Sequence, residues 1–214
     1  MPHYQSIQTS PIQSGEWQEL LGSIALESCV LFVGPGAVVD QQGVPLRERL
    51  LNILRSQLPP GTLDGDYQTP YQLMDRIVRV KGWRKILLEA NQALNELSPQ
   101  DERFHKIAQI PFPLVISTSP HQILRQGYDK LGVSFTSRYF NDRRPAELGV
   151  MPSTHHPVLY HLHGSYEDER SLIRTHDDLF DFLFSIVNTR KLPIEIRECL
   201  HQATNFIFLG FDFE

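Results

Sequence analysis

Two kinds of apolar pattern alternate along the chain. From Gly15 onward, Trp17, Leu20, Leu21, Ile24 and Ala25 recur at helical spacing and predict a short amphipathic helix. Directly after it, Cys29-Val30-Leu31-Phe32-Val33 is a continuous apolar run of strand length, stopped by Gly34-Pro35-Gly36. A run without polar alternation suits a strand covered on both faces, the situation of a parallel sheet. Three more such runs lie at 114–116, 158–162 and 206–209, each followed by Ser, Gly or His-Gly. Helical patterns occupy 46–58, 71–80, 83–97, 121–127, 177–187 and 194–203. Helices alternating with buried strands predict an α/β fold, a Rossmann-like doubly wound parallel sheet.

The span 46–110 is mostly helical and holds no convincing strand, so it reads as a helical insertion subdomain after the first strand. Pro59-Pro60-Gly61 and Asp64-Gly65-Asp66 are its loops. Residues 1–14 are polar without a usable period and read as a loose N-terminal arm before a domain at 15–214. The chain stops at Phe211-Asp212-Phe213-Glu214, just past a predicted strand. A parallel strand normally hands over to another helix, so the sequence reads as a fragment of a longer protein.

A length of 214 residues suits one domain, and the net charge of −5 argues against a protein whose main work is neutralising a phosphate backbone. Direct nucleic-acid binding is therefore not expected. Two cysteines, Cys29 and Cys199, cannot build a disulfide framework or a four-thiolate zinc site. The longest apolar run, 24–33, is interrupted by Glu27 and Ser28 and is far short of a membrane span. The N-terminus has no basic segment followed by an apolar one, so no secretory signal is visible and a cytoplasmic location is expected.

Candidate chemistry collects at the strand ends. Gly34-Pro35-Gly36-Ala37 lies between a predicted strand and helix, where glycine lets a backbone approach a phosphate and a helix N-terminus offers N–H groups. Alone this pair is a weak signal: Val39 stands where the third glycine of the dinucleotide fingerprint belongs, and a tight turn explains it equally well. Ser117, Thr118 and Ser119 follow the second predicted strand, His163 and Gly164 the third, and Gly210, Phe211 and Asp212 the fourth. Such a row suits the crevice beyond the carboxyl ends of an open parallel sheet, although Ser and Thr are also ordinary turn formers. His161 and His163 alternate along the predicted strand and so would share a face, a spacing that could suit a metal. No carboxylate or cysteine lies nearby to complete a ligand set, so no metal is expected. Asp177, Asp178 and Asp181 read as the solvated start of a helix, with Thr175 as a candidate N-cap. Arg143-Arg144, Arg47 and Arg49 read as solvated charges, and Trp83 as core of the insertion.

These segments resemble a known family when taken in order. Gly34-Pro35-Gly36-Ala37-Val38 followed by Gly43-Val44-Pro45 resembles the G-A-G-x-S…G-x-P opening of sirtuins. His105, then Val115-Ile116-Ser117-Thr118-Ser119-Pro120-His121, resembles the H…I-x-T-T-N-Y-D segment of bacterial sirtuin-like domains. Leu162-His163-Gly164-Ser165 resembles their L-H-G-S segment, and Leu172-Ile173-Arg174-Thr175-His176-Asp177-Asp178 their V-L-T-E-x-D-Y helix start. Phe208-Leu209-Gly210-Phe211-Asp212-Phe213 resembles their closing F-L-G-F/Y-S-F.

The resemblance implies NAD in the crevice and cleavage of its nicotinamide–ribose bond. The relatives are largely NAD-depleting effectors of antiphage defence, fused to sensor or repeat modules. It implies His163 as a general base, with Ser119 at the position of the family asparagine that orders ribose and water. It implies Gly34, Pro35, Gly36, Ala37, Ser117, Thr118, Gly164, Gly210, Phe211 and Asp212 as NAD-holding positions. Further copies of the chain, or other domains of a longer protein, are the expected partners. Imidazole suits the role because its ordinary pKa lies near working pH. The departures matter as well. Serine offers one oxygen where asparagine offers a carbonyl and an amide, so a binding-only variant stays open beside an NAD glycohydrolase. The four cysteines of the zinc module in deacetylating sirtuins are not present, so neither zinc nor lysine deacetylation is expected.

Overall fold

The computed structural model describes residues 13–39, 43–58, 70–80, 82, 84–85, 88–89, 102–120, 122–142, 147–189 and 191–211. Five strands, β1 (Cys29–Val33), β2 (Leu114–Ser117), β3 (Thr136–Tyr139), β4 (Val158–His161) and β5 (Asn205–Leu209), form one sheet in the order β3-β4-β2-β1-β5. Every pairing is parallel. Seven helices accompany it among the described residues: α1 (Ser14–Ala25), α2 (Leu46–Gln57), α3 (Pro70–Ile77), α4 (Glu102–Ala108), α5 (Ile123–Leu131), α6 (His176–Thr189) and α7 (Ile194–Gln202). The expected α/β, Rossmann-like arrangement is what the chain forms.

The unbroken apolar runs follow from burial on both sides. Cys29, Leu31, Val33, Val115 and Leu159 point to one face, where Phe104 and Ala108 of α4 and Ile123, Leu124 and Tyr128 of α5 cover them. Val30, Leu114, Ile116, Val158 and Tyr160 point to the other, under Phe182 of α6 and Ile196 and Cys199 of α7. Successive residues of a strand face opposite ways, so both parities must be apolar when both faces are covered. The two cysteines belong to opposite faces and are unpaired thiols.

The structure adds a strand that periodicity misses. β3 sits at the sheet edge, bonded only to β4, and its residues are half-buried or, at Arg138, exposed. An edge strand needs no continuous apolar run, because solvent takes one side. β4 also ends earlier than expected, at His161, with Leu162 and His163 already in a turn.

Within 46–110, α2 and α3 build a core of their own from Leu51, Leu54, Leu58, Leu73, Met74 and Ile77. Leu50 and Ile53 of α2 also reach the main core under β1. Residues 59–69 and most of 81–101, including Trp83, lie outside the described residues, as do residues 1–12 of the expected arm. The first helix begins at Ser14. Among the described residues no helix is long and apolar enough to cross a membrane.

Candidate functional site

The strand register fixes what meets at the carboxyl edge. Tyr139 pairs with His161, His161 with Ser117, Ser117 with Val33 and Val33 with Leu209, so one row of residues crosses all five strands. The residues just beyond that row were singled out in the sequence: His163, Thr118, Gly34 and Gly210. They form two regions.

At β1 and β5 the contact is backbone on backbone. The Gly34 N–H donates to the Leu209 carbonyl (2.7 Å) and the Gly36 N–H to the Gly210 carbonyl (2.9 Å). The Ala37 N–H closes the short 3-10 turn Pro35–Ala37 on the Gly34 carbonyl (3.2 Å). A Cβ on Gly34 would stand 2.5 Å from the Gly210 oxygen, and a Cβ on Gly210 would stand 2.0 Å from the Ala37 nitrogen. Gly210 also has φ +70°, in the left-handed region that favours glycine. The glycines of the turn thus serve first to let two strand ends touch, and these N–H groups are spent in doing so. Phe211 lies beside the turn, its ring edge-on to Phe208 with centroids 5.7 Å apart, whereas Asp212 lies outside the described residues.

At β2 and β4 the contacts are made by side chains. The Thr118 N–H donates to the Val33 carbonyl (3.0 Å), tying this region to the first. The Ser117 hydroxyl donates to the Ser119 carbonyl (3.0 Å) and accepts the Ser119 N–H (3.1 Å). His161 Nδ1 lies 3.0 Å from the same carbonyl. A carbonyl only accepts, so this nitrogen carries the proton and Nε2 of the neutral ring is a lone pair. That Nε2 is buried without a hydrogen-bond partner, as is Oε1 of Gln122, whose amide donates to the Ser165 hydroxyl (3.2 Å). Burial pushes the His161 pKa below its ordinary value, against the pull of the Ser119 carbonyl. Two buried acceptors next to β2 and β4 are therefore unpaired.

His163 stands in the turn after β4. Its Nδ1 is 3.3 Å from the Tyr71 hydroxyl, and the Phe182 ring meets it edge-on with centroids 5.6 Å apart. Burial lowers its pKa to about 4, while a hydrogen bond with the Thr118 main chain pulls the other way. The imidazole is neutral at physiological pH. Gly164 follows with φ +84°, and a Cβ there would lie 2.2 Å from the Ser171 carbonyl oxygen. The Ser171 hydroxyl donates to the Asp168 carbonyl (2.6 Å) and accepts the Ser165 N–H (3.0 Å), so the segment after His163 is tightly bonded. Beyond it the Asp178 N–H donates to the Thr175 hydroxyl (3.1 Å), and Asp178 accepts the Thr175 N–H in return (3.0 Å). Thr175 and Asp178 thus cap α6 reciprocally.

The topology makes this the place for a ligand. After β2 the chain enters α5 on one face; after the adjacent β4 it enters α6 on the other. Connections diverging from neighbouring parallel strands leave a crevice between them, where open α/β sheets bind ligands. Thr118, Ser119 and His163 sit at that divergence.

One expectation fails. His161 and His163 do not share a face: the strand ends between them, His161 faces the Ser119 carbonyl, and His163 faces Tyr71 and Phe182. Alternation holds only while the backbone stays extended. Among the described residues no three His, Cys, Asp or Glu side chains are grouped to hold a metal ion. His121, Arg143, Arg144 and the Arg47 side chain lie outside the described residues. Sequence reasoning missed Tyr71, which lies 92 positions from His163 in the chain and carries no local motif.

Comparison with curated proteins returns no match. Residues 114–214, from the first residue of β2 onward, match the family model described as the SIR2-like domain. The match includes Thr118, Ser119, His163, Gly164 and Gly210, and precedes none of β2, so the Gly34–Ala37 turn stands outside it. Over residues 114–214 the chain is thus similar to the SIR2-like domain, a match consistent with a sirtuin-like family.

Proposed function

We propose that this domain binds NAD across the carboxyl ends of β4, β2, β1 and β5 and hydrolyses its nicotinamide–ribose bond. The observation that carries the reading is the neutral His163 imidazole at the divergence of β2 and β4, beside the Thr118 main chain. The unpartnered His161 Nε2 and Gln122 Oε1 are buried close to the same strand ends, and they mark polar capacity not used within the fold. Gly34, Pro35, Gly36, Ala37, Gly210 and Phe211 would form the side of the site against which the pyrophosphate and adenosine ribose lie. With the Gly34, Gly36 and Ala37 N–H groups already engaged, the turn would bound the ligand by its shape rather than by these donors. Ser117, Thr118 and Gly164 would line the side nearer the nicotinamide ribose.

In the reaction the bond between the nicotinamide nitrogen and ribose C1′ breaks, and its electron pair leaves with nicotinamide. Water adds to the cationic C1′ and passes one proton to His163, which releases it to solvent. The products are nicotinamide, ADP-ribose and a proton. A site that fixes the ribose and the water lowers the entropic part of the barrier without covalent help. A neutral imidazole is the form that accepts the proton. In this reading the domain works in a bacterial cytoplasm as the effector of a defence or sensor protein, with other domains or further copies supplying the trigger.

Ser119 favours a second reading, in which NAD is bound and sensed but not cleaved. Its side chain is short and buried, and its carbonyl is held by Ser117 and His161. Incubation with NAD, with nicotinamide release followed by chromatography and binding by calorimetry, separates the two. Release that disappears in His163→Ala supports cleavage; binding without release in both forms supports sensing; neither binding nor release overturns both.

A further inference from the structure

α6 is apolar on both sides. Leu179, Phe182 and Ile186 turn inward and pack into the core on that face of the sheet. Phe180, Leu183, Phe184 and Val187 turn outward and are 67, 47, 65 and 73% exposed. The neighbouring helices carry polar groups on their outer sides: Gln126, Asp129 and Lys130 of α5 are exposed, as are Glu198, His201 and Gln202 of α7. A surface helix needs one apolar stripe, toward its own core, so the second stripe of α6 calls for another partner. Its four residues stand at i, i+3, i+4 and i+7, a continuous ridge along two turns. They offer on the order of 450 Å², over half of the about 800 Å² that each partner gives to a standard protein–protein interface. Contiguous apolar surface of that extent marks a docking site.

We infer that this stripe is the interface with a second copy of the chain, the two α6 helices packing antiparallel about a twofold axis between Leu183 and Phe184. The arrangement of the helix selects this occupant. The spacing of the four residues reads the same from either end, so an inverted copy meets it position for position, as an isologous interface requires. In that register Phe180 faces Val187 of the second copy and Leu183 faces Phe184, each larger side chain against a smaller one, which lets facing rows interdigitate. The charges in the sequence are inverted in the same way. Asp177 precedes the stripe and Arg190 directly follows the helix, equally far along the chain from the axis, so inversion brings an acidic position to a basic one. The inner side of the same helix sets Phe182 against His163, so the pairing braces an element that borders the candidate site. It does not depend on whether NAD is cleaved.

The test is the mass of the full chain in solution. Sedimentation equilibrium across the micromolar range is expected to give twice the 24.6 kDa of one chain. Leu183→Glu and Phe184→Lys, each present twice at the centre of a symmetric interface, are each expected to weaken the dimer at least about a hundredfold with an unchanged circular dichroism spectrum. Because position 183 of one copy faces position 184 of the other, mixing the two variants is expected to restore a dimer. That heterodimer joins the opposite charges at one contact and keeps the native Leu183–Phe184 contact at the other. Wild type that stays monomeric overturns the inference, and leaves the stripe to another domain or a different protein. A dimer that both variants leave intact overturns it as well, because the interface then lies elsewhere, and failure of the mixture to recover overturns the antiparallel pairing. Should either variant not fold, Phe180→Cys and Val187→Cys decide the register: mixed, they are expected to cross-link with each other rather than each with itself, and the reverse preference overturns the pairing.

Discussion

The two ends of the crevice are built on opposite principles. Where β1 meets β5, Gly34, Gly36 and Gly210 press main chain against main chain, and Gly34 and Gly210 leave no room for a methyl group. Where β2 meets β4, side chains of α3 and α6 flank one imidazole, and buried acceptors stay unpaired. The first region tolerates almost no chemistry and sets a shape. The second keeps polar capacity at a cost in stability, since an unpaired buried polar group forfeits a hydrogen bond to water. Shape and reactivity are thus divided between neighbouring strand ends rather than mixed at one.

The largest effect is expected at the first region. Gly210→Ala combines a left-handed φ with a Cβ 2.0 Å from the Ala37 nitrogen, both backbone features that no rotamer relieves. It should cost more than about 4 kcal/mol and abolish a cooperative melt. A wild-type melting temperature would break the comparison, because the contact would then not be required. At the second region His163→Ala should leave the melt nearly unchanged but lower nicotinamide release at least about a hundredfold, with NAD binding by calorimetry retained. Equal effects on melt and turnover would mean that this end, too, is mainly structural.

Ser119→Asn is expected to act in the opposite direction. An amide with longer reach should raise cleavage about tenfold if the serine limits the orientation of water. No gain would show that the limit lies elsewhere. The smallest effect is the pH dependence. Burial holds the His163 pKa at about 4, below its ordinary value, and lowers that of His161 as well. Between the ordinary value of about 6.5 and the folded value the unfolded chain binds protons that the folded one refuses. Stability contributed by these neutral rings is therefore complete above about pH 6.5 and is lost as pH falls toward 4. Chemical unfolding at pH 7 and pH 5 should show the loss, reduced in His163→Gln. Turnover should be flat down to about pH 5 and fall below it, since the base is neutral until its own pKa is reached.

The sequence makes these two regions unequally legible. β1, β2, β4 and β5 announce themselves because burial on both faces forces unbroken apolar runs, and the Gly34–Ala37 and Gly210 positions follow from where those runs stop. The edge strand β3 does not, since Thr136, Ser137 and Arg138 need satisfy only one covered side. The Thr175 cap is readable because its partners lie within one turn. The contact between Tyr71 and His163 is not, because neither spacing nor composition links α3 to a turn after β4. His161 illustrates the remaining limit: strand alternation predicts its face correctly only if the strand's last residue is known, and a turn beginning at Leu162 sends the two imidazoles to different neighbours.

The position of β1 in the sheet has a consequence for the order in which the molecule can assemble. Its partners are β2, from residue 114, and β5, from residue 205, so this strand is completed only by segments far downstream of it in the chain. Long loops must close before those ladders reward the chain, which makes such pairings slow. Until then Cys29-Val30-Leu31-Phe32-Val33 is an apolar segment with open hydrogen-bonding edges, the type of stretch that recruits other chains. Refolding yield should accordingly fall with protein concentration, and the glycine turn, locked only when β5 arrives, should be among the last parts of the fold to be protected from hydrogen exchange.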